Sequence, residues 1–254
     1  MEIEDRNLPV NPFSPERRVH WRRETPLSEK GKMMEEMLGS LRGDPLGVQF
    51  LPQWFWSLLP RHGPLEDRLP WMNFRAIRWL DSYLRSDMDT FEFGAGGSTL
   101  FVARRVRRMT SIEHDRHWHG LVADALNAER VTNCDLRLVE AEPDPSAAEV
   151  PYGPASFSSL TPGARGLRFE RYARAIDGQP DRSLDLVLVD GYARFSCVAR
   201  AIPKVRPGGY LMFDDTDLKK YREAVTYLDR FRRTDFIGLT PFQRNLRQTT
   251  IWRL

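Results

Sequence analysis

Seven consecutive residues, Glu92-Phe-Gly-Ala-Gly-Gly-Ser98, bring an acid, three glycines and a hydroxyl together. A second acid, Glu113, follows at about the twenty-residue distance at which nucleoside-binding sheets place one. Glycines at 94 and 96 let a backbone approach a ligand where a Cβ would collide, and Ser98 or Thr99 can cap a helix that begins there. An acid at the tip of the following strand accepts hydrogen bonds from ribose hydroxyls. Farther along, Asp190 closes the mostly apolar run 184–189, and Asp214 and Asp215 close the run 210–213. Three carboxylates at neighbouring strand ends repel one another unless a cation joins them or their pKa values rise. A hard divalent ion with oxygen ligands, Mg²⁺ above all, meets that need and can lower the pKa of a hydroxyl bound to it. The plainer alternative has Asp190 ordering the ligand region and Asp215 or Asp217 capping the next helix.

Regular elements have to bring these residues together. Apolar periodicity predicts a helix through Phe74, Ile77, Leu80 and Leu84, a strand over 88–93, helices over 98–107 and 115–128, and a strand near 134–139. Asp115 is a ready cap for the second of those two helices. Residues 184–190 read as a buried strand, and Phe195, Val198 and Ile202 as a helix stopped by Pro207-Gly-Gly209. A buried strand over 210–215, a helix through Leu218, Tyr221, Val225 and Leu228, and two last strands near 235–239 and 249–253 complete an open α/β sheet. Between 142 and 182 the pattern lapses, apart from a helical run over 167–176, and a connection of that length predicts a segment that shapes or closes over the site. At the other end, residues 1–70 read as a polar extension with an amphipathic helix at 28–41, then a Pro- and Trp-rich connector, ahead of a domain over 71–254.

A dinucleotide fingerprint puts a third glycine at the sixth position from Gly94, where this chain has Thr99, and no G-x-x-x-x-G-K-[ST] loop is present. Glu92 would repel a pyrophosphate but can position a cationic amino group. A nucleoside carrying an amino acid fits better. The set Glu92-x-Gly94-x-Gly96, Glu113, the Val189-Asp-Gly191 run and the stretch from Pro207 to Asp215 resembles the class I S-adenosylmethionine (SAM) methyltransferases over 71–254. That resemblance implies a Rossmann-like, doubly wound, mostly parallel seven-stranded sheet with an antiparallel C-terminal edge. It implies SAM at Glu92, Gly94, Gly96, Gly97, Ser98, Glu113, Glu140 and Asp190, and a small-molecule acceptor. The acid trio further resembles the metal ligands of catechol-type and macrocin-type O-methyltransferases. This implies O-methylation of a small-molecule or sugar hydroxyl, with Asp190 as catalytic group and Asp190, Asp214 and Asp215 around a divalent metal. The catechol-type enzymes carry a lysine base three positions after the first metal acid. Here that place is Ala193, followed by Arg194, which stays protonated and cannot act as a base. Either a metal alone activates the hydroxyl, or His114 or Asp190 takes the proton, or the site is metal-free. Two other functions stay open: an NAD-dependent oxidoreductase, and a non-catalytic interaction protein on the same fold.

The 254 residues are 41% hydrophobic and 29% charged, which suits one globular domain plus an extension. The apolar patch at 50–59 is half the length of a membrane span and is broken by Pro52 and Gln53. The N-terminus lacks a signal-peptide apolar core, so a cytoplasmic protein is expected. A net charge of +3 invites a nucleic-acid reading, as do Arg17, Arg18, Arg22 and Arg23 and the group Arg104, Arg105, Arg107 and Arg108. Acids flank the first group, and the second closes a helix where cations are favoured, so nucleic acid is not the expected partner. Cys134 and Cys197 lack metal or redox spacing and read as buried reduced thiols, and His114, His117 and His119 lack zinc spacing.

Overall fold

The computed structural model describes residues 47–161 and 163–254. Strand β1 (Asp89–Phe93) is buried at every position, and β6 (Leu184–Val189) at all but one. Burial on both faces is what parallel pairing beneath helices demands. The sheet runs β3 (Cys134–Leu138), β2 (Arg108–Glu113), β1, β6 and β7 (Val205–Phe213), all parallel, followed by β9 (Leu246–Arg253) and β8 (Arg232–Leu239), which are antiparallel. This is the expected seven-stranded, mostly parallel sheet with an antiparallel C-terminal edge.

Alternation along the strands divides the core. Phe91, Phe93, Val187 and Val189 pack on one face with α5 (Glu170–Arg174), α6 (Arg194–Ala201) and α7 (Arg222–Tyr227). Leu186, Leu188 and Met212 pack on the other with α1 (Leu51–Ser57), α2 (Phe74–Tyr83) and α3 (Gly97–Ala103). Helix α4 (Arg116–Ala128) begins at the Asp115 cap, whose side chain accepts from Trp118 N. Each fully buried Phe or Leu contributes roughly 1.5–3 kcal/mol.

Register places the site. Phe93 is level with Val189, and Val189 with Phe213, so Gly94, Asp190 and Asp214 leave the sheet side by side. Asp190 N donates to Phe93 O (3.0 Å) and Asp214 N to Val189 O (3.2 Å), which holds that line. The chain moves outward from β1 through β2 to β3, then resumes on the opposite side with β6 and β7. The crevice between β1 and β6 is therefore the point where strand order reverses.

Several boundaries differ from the sequence expectation. Helix α3 ends at Ala103 rather than 107, because Arg107 N and Arg108 N bond to Met88 O and lead the chain into β2. Gly96, not Ser98 or Thr99, is the N-cap residue of α3, and Thr99 Oγ1 reaches back to accept from Gly96 N (2.9 Å). Pro207-Gly-Gly209 does not stop a helix. Helix α6 has already ended at Ala201, and the three residues lie inside β7, where the register with β6 shifts. Gly209 is needed there, since a Cβ would fall 2.8 Å from Val205 Cγ1 and 2.9 Å from Asp185 O. The helical run expected over 167–176 starts at Glu170, because Leu167–Arg168 pair as β5 with β4 (Glu142–Pro143). The long connection is anchored: Phe157 is buried, its N–H donates to Ser196 Oγ (3.0 Å), and the guanidinium groups of Arg168, Arg174 and Arg200 lie over its ring. The helix expected at 28–41 lies outside the described residues. The connector packs on the domain: Trp54 is buried and its Nε1 donates to Gln243 O (2.9 Å), while Phe242 N donates to Ser57 Oγ (3.1 Å). Among the described residues no helix is long and apolar enough to cross a membrane.

Candidate active site

Two glycine turns face each other at the point of strand reversal. Gly94 has φ 95°, and a Cβ there would lie 2.7 Å from Gly191 N. A Cβ on Gly191 would lie 2.0 Å from Tyr172 Oη and 3.0 Å from Gly94 N. Gly96 is different, since the nearest heavy atom to its missing Cβ is on the Trp118 ring at 3.9 Å, and a ligand has room to approach. Gly97 serves the connector, because a Cβ there would sit 2.2 Å from Pro64 O and from Leu69 O.

Both acids of this region are buried and brace the turn. Glu92 Oε2 accepts from Thr99 Oγ1 (2.5 Å) and Ser111 Oγ (2.6 Å), and the Ser98 hydroxyl also bonds to this carboxyl. Burial pushes the Glu92 pKa up to about 7, with those hydroxyls opposing the rise. Glu113 Oε2 accepts from Ala95 N (3.1 Å), and its Oε1 from His114 N (2.7 Å) and Asp115 N (2.8 Å). Glu113 thus ties the exit of β2 to the glycine turn. Glu140 stands apart, half exposed and paired with Arg116 (2.7 Å).

The acids after β6 and β7 do converge. Asp190, Asp214 and Asp215 each offer a carboxylate oxygen within 4.8 Å of the others. A cation is already among them. Arg194, at the first position of α6 and buried, donates from Nε to Gly191 O (2.9 Å), from Nη1 to Asp214 O (2.8 Å) and Asp215 Oδ2 (3.3 Å), and from Nη2 to Asp190 O (2.8 Å) and Asp190 Oδ1 (2.9 Å). Those bonds engage all five N–H groups of a guanidinium. Thr249 Oγ1 donates to Asp214 Oδ1 and accepts from Asn73 Nδ2 (2.9 Å), and Arg247 Nε stands 3.4 Å from Asp215 Oδ1. Asp217 caps no helix, for it accepts from Gln248 N (3.0 Å) and pairs with Arg247. Burial raises the Asp190 pKa to about 7, with Arg194 opposing and Asp215 adding to the rise. Asp214 is raised well above the carboxylate range, first by burial and then by its two acidic neighbours.

An aromatic wall completes the edge. The His114 ring lies 3.9 Å from that of Tyr192, which in turn is 5.1 Å from Phe169. His114 Nδ1 is 2.8 Å from Glu113 Oε1 but is not aligned as a hydrogen bond. Tyr172 is wholly buried, and its hydroxyl faces Gly191. Sequence reasoning set Arg194 aside as unfit to be a base and did not reach Thr249, Arg247, Tyr192 or Tyr172. Arg194 carried a signal, an acid–arginine pair at i,i+4. Thr249, 35 residues from Asp214, carried none.

The arginine group before and in β2 is paired with acids: Arg104 with Glu129, Arg105 with Asp81, and Arg107 and Arg108 both with Asp89. Cys197 is buried and Cys134 partly so, both are free thiols, and burial raises both pKa values, that of Cys134 to about 12.

No family model matches the chain and no curated protein matches it. Among solved structures, a Klebsiella pneumoniae protein classed as a candidate O-methyltransferase superposes with a TM-score of 0.52 at 13% identity, covering 82% of this chain and 99% of that one. The fold is that of the class I methyltransferases. Two further structures superpose less closely. A Geobacter sulfurreducens methyltransferase covers 81% of this chain and 98% of its own at 14% identity and a TM-score of 0.48. A candidate methyltransferase from Streptococcus mutans, solved with S-adenosylhomocysteine (SAH), covers 70% and 94% at 10% identity and 0.47. At 13% identity the likeness to the Klebsiella structure speaks for the fold alone, and the chemistry has to be argued from the site.

Proposed function

We propose that the chain is a SAM-dependent methyltransferase acting on a hydroxyl of a small-molecule or sugar acceptor. The observation that carries this reading is the room left at Gly96 beside the close-packed turns of Gly94 and Gly191 at the point of strand reversal, with Glu113 at the next strand end. Ligands of open α/β sheets lie in that crevice. Gly94, Gly96 and Ser98 would lie along the ligand, Glu113 at its ribose, Glu92 toward its amino group, and Glu140 at the outer rim. Bound SAM supplies a methyl group already activated by a sulfonium sulfur. The chain has to align a nucleophile and take its proton. Asp190 is suited to receive that proton, since its side chain is 32% exposed beside Gly191, Arg194 holds Oδ1, and its pKa of about 7 fits a general base. With SAM bound, Asp190 would take the proton of the acceptor hydroxyl as that oxygen received the methyl group, and the neutral thioether SAH would be the other product. A metal-assisted version would use Asp190, Asp214 and Asp215 as ligands and would need Arg194 displaced from them.

Calorimetric titration with SAH and with NADH tests the cofactor, and labelled-methyl transfer to catechols, sugars and nucleosides tests the reaction. SAH binding with turnover on a hydroxyl acceptor is the expected result. NADH binding without SAH binding would replace the reading with an oxidoreductase. SAH binding without turnover on any acceptor would favour a non-catalytic role.

A further inference from the structure

Like charges crowded at a sheet edge need a counter-charge, and here the protein provides its own. We propose that Arg194 is the permanent cation of the Asp190–Asp214–Asp215 cluster and that the site works without a divalent metal. The arrangement of charge stands on the structure alone, and its bearing on catalysis rests on the methyl-transfer reading above.

Of the six carboxylate oxygens in the trio, four are committed: Asp190 Oδ1 and Asp215 Oδ2 to Arg194, Asp214 Oδ1 to Thr249 and Asp215 Oδ1 to Arg247. A hard divalent ion needs about six oxygen ligands, and entry here would break the carboxylate bonds of a buried guanidinium and set two cations side by side. Arg194 is also fixed apart from the carboxylates, since its guanidinium carbon lies 4.8 Å from the centre of the Tyr221 ring and three of its donors hold the backbone carbonyls of Gly191, Asp214 and Asp190. Such a planar fork, satisfied on every side, acts as a framework that a flexible lysine could not replace. The residue before it is Ala193, fully buried within the apolar core in the left-handed region at φ 46°, a place where a lysine ammonium would lose its water. With Arg194 holding Oδ1 of Asp190, Oδ2 of that carboxylate is the oxygen left for the acceptor.

The test is a titration of Mn²⁺ followed by electron paramagnetic resonance, on the full chain with and without saturating SAH. The wild type should leave the free Mn²⁺ signal undiminished up to millimolar ion, and Arg194→Gln should gain a site at least tenfold tighter that Asp214→Asn then removes. Stoichiometric Mn²⁺ binding by the wild type, lost in Asp190→Asn, would overturn the proposal. A folded Arg194→Gln chain that gains no affinity would overturn it as well. Should Arg194→Gln fail to fold, the wild-type titration decides by itself. Absence of SAH binding in the same samples would instead count against the methyl-transfer reading and leave the metal result standing.

Discussion

Gly94 and Gly191 approach so closely across the carboxyl edge of the sheet that each occupies the space the other's side chain would need. Gly94→Ala must hold φ 95° with a Cβ 2.7 Å from Gly191 N. The left-handed backbone alone costs about 1–2 kcal/mol, so the variant should melt several degrees lower and bind SAH at least tenfold more weakly. Gly96→Ala is the informative partner, because its Cβ would meet only an ordinary contact with the Trp118 ring. It should keep the wild-type melting temperature and lose affinity. Wild-type affinity for SAH in Gly96→Ala, measured by calorimetry, would place the ligand elsewhere.

Glu113→Ala should cost about 1.5–3 kcal/mol of SAH affinity through the loss of charge-assisted contacts. Part of that loss is indirect, since Ala95 N, His114 N and Asp115 N all lose their acceptor. Glu113→Gln, which keeps an acceptor oxygen, should fall between the two. Calorimetry giving equal dissociation constants for all three proteins would take Glu113 out of the site.

Glu92 makes stability fall as pH rises. Its carboxyl is lifted by burial from 4.5 to about 7, so between those values the folded state holds a proton that the unfolded chain has released. The stabilisation is therefore complete below about 4.5 and is lost as pH climbs through about 7, a swing on the order of 3 kcal/mol. Glu92→Gln should flatten that part of the melting-temperature profile while still accepting from Thr99 and Ser111. A profile between pH 5 and 8 that is unchanged in the variant would show that Glu92 titrates normally.

Asp190→Asn should lower the methyl-transfer rate by roughly 10²–10⁴-fold while leaving SAH affinity within a few-fold of wild type. In the wild type the rate should rise with pH and level off above about 7, as Asp190 gives up its proton. A rate independent of pH from 5 to 9, or full turnover in the asparagine variant, would assign the proton to another group.

How much of this was legible in the sequence depends on the range of the interaction. The glycine turn, Glu113, Asp190 and the Asp214–Asp215 pair each announce themselves locally, by glycine spacing or by an acid closing an apolar run, and parallel pairing does the rest by lining up Phe93, Val189 and Phe213. Gly97 was read as part of a ligand turn, yet its missing side chain is taken up by Pro64 and Leu69, a contact with no periodic signature. Pro207-Gly-Gly209 looked like a helix stop because the same residues that end helices also permit a bulge inside a strand. Arg194 was visible as a charge but not as a partner. Its role depends on carbonyls from two separate strand ends, and only the folded register shows them together.

The pairing of Trp54 with Gln243 and of Asp214 with Thr249 has a consequence for synthesis. A ribosome releases β1, the glycine turn and β2 early, and their mutual bonds can form on the nascent chain. Strand β9 follows β7 and β8, and until it emerges Asp214 lacks its hydroxyl and β7 has an open edge, while Trp54 waits for the carbonyl of Gln243. A chain stalled before residue 240 would therefore present a half-built crevice beside an uncovered tryptophan and a bare strand, the surfaces by which chaperones and proteases recognise unfinished products. The acid cluster thus gains Thr249 and Arg247 only after the Arg194 bonds within 190–215 have become possible.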